Sequence, residues 1–192
     1  MAVLVTIFSD FTCPFSYLTE VGLRRVVQAR ERIEVVYRAL ELYPEPAGNA
    51  VPTGAEWETA AGLADLLGLV LRSPAFTPRT RKAHEAARFA AHRGIGDAMR
   101  DAIYSAYWAD ERDIGRIDVL MELVEALGVD PVELKIALDI DQFEAEVARD
   151  IEVARRLRVP GAPTIFIGTG SNAVILLGAQ APEDLDEAIR AG

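Results

Sequence analysis

The chain has 192 residues, 51% of them apolar, and a formal net charge of −10. That is enough apolar material for the core of one domain, or of one domain with a large insertion. The acidic balance argues against nucleic-acid binding; no apolar run approaches the ~20 residues that cross a bilayer; and one cysteine with two histidines cannot make an ordinary zinc site.

The run Val3-Leu4-Val5-Thr6-Ile7-Phe8 is apolar and rich in β-branched residues, which predicts a strand buried on both faces. Ser9 to Thr12 form the turn after it. Pro14 suits the first helical position, where its missing N–H costs nothing. Cys13 then falls at the N-cap of a helix predicted to end near Glu31. There its sulfur can accept the free N–H groups of Phe15 and Ser16, and the positive end of the helix dipole favours an anion. Both effects predict a Cys13 that ionises below the free value of about 8.5. A lone cysteine is commonly a small buried hydrophobe; the strand–turn–Cys-Pro–helix context favours a functional thiol. Ser16 stands where a C-x-x-C pair has its second sulfur, so no internal disulfide can close. Its hydroxyl tunes the thiolate, or it is simply a tolerated helix residue.

Ile33 to Tyr37 read as a second strand, parallel to the first across the helical crossover. The segment Tyr43-Pro44-Glu45-Pro46-Ala47-Gly48-Asn49 breaks regular structure. Helices are predicted over 57–71, 79–93, 97–109, 117–127, 131–138 and 143–157. His84 and His92 lie on the second of these. His84 reads as a structural histidine, with an acid–base group above Cys13 as the alternative. Tyr17, Trp57, Tyr104, Tyr107 and Trp108 read as core, one or two of them lining a pocket between the helices and the sheet. Glu122, Glu125, Glu144, Glu146 and Asp150 read as a solvated acidic face.

Val159-Pro160-Gly161-Ala162-Pro163-Thr164 leads into a strand at 165–167. A hairpin turn at 168–172, a paired strand at 173–177 and a last helix at 183–191 follow, with Ala181 or Pro182 near the helix start. The order β-α-β, helical block, β-β-α predicts an α/β protein with a thioredoxin-like fold and a large helical insertion. The thioredoxin-like part takes 1–45 and 158–192, the insertion 46–157. No nucleotide-binding glycine motif is present. The chain opens Met-Ala directly before a strand, without a basic segment or cleavage site, and is read as cytoplasmic.

The chain resembles the DsbA-like branch of the thioredoxin superfamily, in particular the FrnE-like oxidoreductases and the group of 2-hydroxychromene-2-carboxylate isomerases and kappa-class glutathione transferases. The likeness rests on Phe8-Ser9-Asp10-Phe11-Thr12-Cys13-Pro14-Phe15-Ser16-Tyr17-Leu18 and on Tyr37-Arg38-Ala39-Leu40-Glu41-Leu42-Tyr43-Pro44-Glu45. It continues through Ala106-Tyr107-Trp108, Arg112-Asp113-Ile114, Val159 to Thr164, and Gly178-Ala179-Gln180. It implies that Pro163 follows a cis bond and faces the thiol, although from the residues alone Pro163 reads equally as an ordinary loop proline. Ala162 would then pair, strand-like, with an extended thiol peptide such as glutathione. Gln180, at the start of the last helix, would hold the γ-glutamyl end of glutathione, where Glu183 and Asp184 oppose an anion.

Cys-Pro-Phe-Ser is a hybrid. The oxidoreductases carry cysteine at the position of Ser16, and the isomerases and kappa-class transferases usually carry serine at that of Cys13. The resemblance implies a DsbA-family thiol–disulfide oxidoreductase acting through a single thiolate. Cys13 and Ser16 would be catalytic; Pro14, Phe15, Ala162, Pro163 and Gln180 would bind substrate. No cofactor would be tightly bound, and glutathione would be cosubstrate with a disulfide or small electrophile. A homodimer is admitted. The alternatives are a glutathione-dependent isomerase or transferase, and a non-enzymatic thiol-peptide-binding or redox-sensing module.

Overall fold

The structure, a computed structural model, describes residues 2–30, 32–45, 48 and 50–191. Pro46, Ala47 and Asn49, in the segment expected to break regular structure, and Glu31, expected near a helix end, lie outside the described residues.

β1 (Val3–Ser9) runs parallel to β2 (Ile33–Ala39), with Val5 opposite Val35 and Ile7 opposite Tyr37. β3 (Thr164–Ile167) pairs with β1 and β4 (Val174–Leu177) with β3, both antiparallel, giving the order β2-β1-β3-β4. The crossover from β1 to β2 is α1 (Pro14–Gln28). It stops short of Glu31 because the chain must reverse before Ile33. Arg32 takes a left-handed φ of 66°, and its carbonyl accepts from Val3 N at 2.8 Å.

Between β2 and β3 come α2 (Ala55–Leu67), α3 (Arg81–Ala91), α4 (Gly96–Trp108), α5 (Ile117–Ala126), α6 (Pro131–Asp139) and α7 (Glu144–Arg156); α8 (Pro182–Ala191) follows β4. α2 ends before the expected Leu71 because Gly68 caps it at a left-handed φ of 64°, a conformation glycine adopts without penalty. α6 starts as its sequence dictates: Asp130 accepts from Val132 N at 2.9 Å, with Pro131 next. No helix among the described residues is long and apolar enough to cross a membrane.

Two cores hold this arrangement. On one face of the sheet Val5, Ile7, Ile165 and Ile167 pack against Leu23 and Val26 of α1 and Leu185 and Ile189 of α8. The second core joins Phe11, Tyr17 and Leu18 to α2–α6, with Tyr104, Tyr107 and Trp108 wholly buried. Burial of α1 from two sides leaves its Glu20 without water. Arg100 of α4 supplies the counter-charge, through Nε at 2.7 Å and Nη2 at 2.5 Å. Tyr104 donates to the same carboxylate at 2.8 Å, and Arg100 also reaches Ser9 Oγ at 2.9 Å.

The acidic face reading fails at Asp150. Glu122, Glu125 and Glu144 are exposed, and Glu146 is half-buried, but Asp150 is buried. It accepts from Arg38 at 2.8 Å and from the Ala39 N–H at 3.1 Å, and it also pairs with Arg88. α7 thus ties the outer edge of β2 to α3. An edge strand leaves backbone groups to be satisfied from elsewhere, which is a tertiary demand that helix periodicity does not reveal.

Candidate active site

Cys13 sits at the end of the β1–α1 turn with extended backbone (φ −99°, ψ 115°) and is the N-cap of α1, with Pro14 first in the helix. Its N–H donates to Asp10 O at 3.1 Å, and its carbonyl accepts from Tyr17 N at 3.2 Å. The sulfur makes no capping bond. Instead the thiol donates to the Ala162 carbonyl at 3.2 Å. The Ala162–Pro163 peptide is cis, and the Pro163 carbonyl is held by Gly178 N at 2.9 Å. Thr164 Oγ1 closes the loop onto Gly161 O at 2.7 Å. Two segments far apart in sequence therefore present a thiol and a strand-end backbone to one another.

Ser16 is fully buried, and its Oγ accepts from Asp10 N at 3.4 Å, leaving its hydrogen free to turn toward the sulfur. Pro14 is buried and Phe15 half-buried against the helical core. Ala162 is half-buried and Pro163 buried. Gln180 does not reach toward the thiol. Its Nε2 donates to Leu177 O at 3.1 Å and Gly178 O at 3.3 Å, and its backbone N–H bonds Thr19 Oγ1 of α1 at 3.2 Å.

The expectation of an acidic thiol is not met. Cys13 is only 6% exposed, and burial pushes the thiol up to about 11. The Ser16 hydroxyl and the N–H groups of Ser16 and Phe15 favour the anion, while the Asp10 carboxylate opposes it. Loss of water outweighs the helix-end donors.

Asp10 is the residue that sequence reasoning left out. It is fully buried. Oδ1 accepts from Thr12 N at 3.4 Å, and Oδ2 from Leu42 N at 2.6 Å. His84 is buried too, with Nε2 3.6 Å from Asp10 Oδ1 and its ring 4.8 Å from that of Phe11. His92 caps α3 at the surface near Glu146. A carboxylate three residues before an N-cap cysteine is visible in the sequence; that Leu42 and His84 converge on it is not.

A cleft of about 650 Å³ opens between β2, α3 and α4, lined by Val35, Tyr37, Arg88, Gly94 and Arg100, with His84 at its wall. Cys13 does not line it. The aromatic on that wall is Tyr37, in place of the five aromatics expected at such a pocket: Tyr17, Tyr104, Tyr107 and Trp108 are core, and Trp57 packs at its margin.

Residues 4–190 match the DSBA-like thioredoxin domain. The chain belongs to that family. This DSBA-like chain is 25% identical over 198 residues to the uncharacterized protein YwbO of Bacillus subtilis, covering 98% of the chain and 96% of the relative. Among solved structures, a probable DsbA oxidoreductase from Streptomyces coelicolor superposes with a TM-score of 0.83 at 27% identity, over 98% of this chain and 89% of the other. The cytosolic disulfide reductase DsbM of Pseudomonas aeruginosa, solved with GSH, gives 0.74 at 20% identity, with 98% of each chain covered. A 2-hydroxychromene-2-carboxylate isomerase gives 0.74 at 21%, over 98% and 93%. At these identities the last two show the fold, a mixed four-stranded thioredoxin sheet with helices inserted between β2 and β3.

Proposed function

We propose that this chain is a thiol–disulfide oxidoreductase working through Cys13 alone, with glutathione as the second thiol, in the reducing cytoplasm. The observation that carries the reading is the Cys13 thiol 3.2 Å from the Ala162 carbonyl, with serine one helical turn on at position 16. Family membership supports the oxidoreductase class. The Cys13 thiolate attacks one sulfur of a disulfide, and the other leaves as a thiolate that takes up a proton. Glutathione thiolate then attacks the substrate sulfur of the mixed disulfide, returning the electron pair to Cys13. An extended substrate would take the place of the Sγ–Ala162 contact and pair with that backbone, exposing the sulfur as it does so.

Oxidised glutathione should add one glutathionyl group, read as a single mass increment lost in Cys13→Ser. Turnover of a small disulfide with glutathione should fall at least about a hundredfold in the same variant, as removal of a covalent nucleophile does. Turnover that survives Cys13→Ser sinks the reading.

The raised Cys13 ionisation favours a second reading. A protonated thiol can donate to the sulfur of bound glutathione, as a hydroxyl would, and so orient it for an isomerase or transferase reaction. Activity that requires an electrophile and leaves disulfides untouched would select it.

A further inference from the structure

Asp10 has all its polar groups engaged on the turn that carries Cys13. Its N–H bonds Ser16 Oγ, its carbonyl the Cys13 N–H, and its two carboxylate oxygens the N–H groups of Thr12 and Leu42. Among the described residues no guanidinium or ammonium is bonded to that carboxylate. The side chain that approaches it is His84, whose Nε2 is buried, lies 3.6 Å from Oδ1 and has no hydrogen-bond partner. The Thr12 hydroxyl beside them is likewise buried and without a partner. The other titratable groups facing this spot are tyrosines: Tyr43 from the segment after β2, and Tyr104 and Tyr107 from α4. Arg100, over the Phe11 ring at 4.9 Å, is taken up by Glu20.

We propose that Asp10 is a charge-setting positioning residue for the Cys13 thiol and that His84 is its counter-charge, so that the protonation of His84 tunes how readily the thiol becomes a nucleophile. The inference deepens the proposed Cys13 chemistry and rests on it. A thiolate at Cys13 places a second negative charge beside a buried carboxylate, and like charges in a site without water oppose each other strongly. A proton on His84 cancels the carboxylate, and the thiolate then meets no net charge. The same carboxylate cannot simply be dispensed with, because it ties the turn to Leu42. Its two roles pull apart, and His84 is placed to reconcile them. Histidine is the side chain that ordinarily changes charge between about pH 5 and 8. The coupling therefore gives the thiol relatively more nucleophilic power on the acid side of neutrality than an unlinked thiol of the same alkaline behaviour would have.

The test reads the thiol alone, with methyl methanethiosulfonate, a small neutral reagent, reacting with the folded full-length protein across pH. Circular dichroism confirms the fold of each variant. Asp10→Asn should react about three- to tenfold faster than the parent near pH 8.5, since each tenfold in thiolate fraction is one unit of ionisation. The ratio of parent to His84→Gln rates should rise about threefold or more from pH 8.5 down to about 5.5, where histidine carries its proton. A folded Asp10→Asn that reacts no faster overturns the proposal. So does a ratio that stays flat in His84→Gln, and that profile decides alone if Asp10→Asn does not fold. Both shifts present without any glutathione turnover would overturn the proposed function and leave this inference standing.

Discussion

The proton on Cys13 is held by what surrounds it. Its ionisation moves from an ordinary 9.0 to about 11 through burial first, with Asp10 adding to it. An unfolded chain releases this proton from about pH 9, while the folded chain keeps it. The resulting stability is fully present below pH 9 and is lost as pH rises toward 11. Between pH 8 and 10.5 the parent should therefore lose about 2 kcal/mol more than Cys13→Ser in urea unfolding. The tyrosines pushed upward by burial, Tyr37 and Tyr104, titrate in both proteins and cancel in the difference. Equal losses would mean that the thiol is not held protonated. At the next turn, Ser16 faces the same buried spot. Ser16→Cys should place a second sulfur within disulfide reach, leave no free thiol after mild oxidation, and confer insulin reduction that the parent lacks. A folded Ser16→Cys protein that keeps both thiols free would contradict the N-cap geometry.

α1 carries the site and is itself held by charge. Burial works against the Glu20 carboxylate, but Arg100, its hydrogen bonds and Arg24 hold it below the usual carboxylate range. With its ionisation lowered, Glu20 contributes stability above its ordinary 4.5 and loses it as pH falls further. Arg100→Met leaves that charge buried without its partner and should cost about 3–5 kcal/mol. Glu20→Leu combined with Arg100→Met should recover much of the loss, since the unpaired charge is what is expensive. Urea denaturation of the three proteins checks both statements. A single-variant cost below about 1 kcal/mol would show that packing alone holds α1 against α4.

The helical block and the sheet follow one another in sequence as separate parts, yet they share a core. Tyr17 stacks on Tyr104 at 5.0 Å, and Trp108 Nε1 donates to Phe11 O at 2.9 Å on the active-site turn. Residues 46–157 and the flanking thioredoxin-like segments should therefore unfold together. Tryptophan fluorescence reports Trp57 and Trp108 in the helices, and reactivity of Cys13 reports the β1–α1 turn. Their urea midpoints should coincide; two separate midpoints would mean that the segments are independent domains.

The sequence by itself determined the order of elements and where the thiol stands on them. Strand runs of β-branched residues, Cys-Pro at a helix start, and Gly or Pro at the breaks all act over one or two helical turns, so they can be read without the rest of the chain. The reach of Arg38, Arg88 and Ala39 N to Asp150 and the convergence of Leu42 and His84 on Asp10 span dozens of residues and leave no periodic trace. Cys13 shows the division most clearly. The local donors that favour its thiolate are present as the sequence implies, but its ionisation moves the other way. Only the tertiary structure decides how much water reaches a sulfur, and for a charge that exclusion outweighs a few well-placed N–H groups.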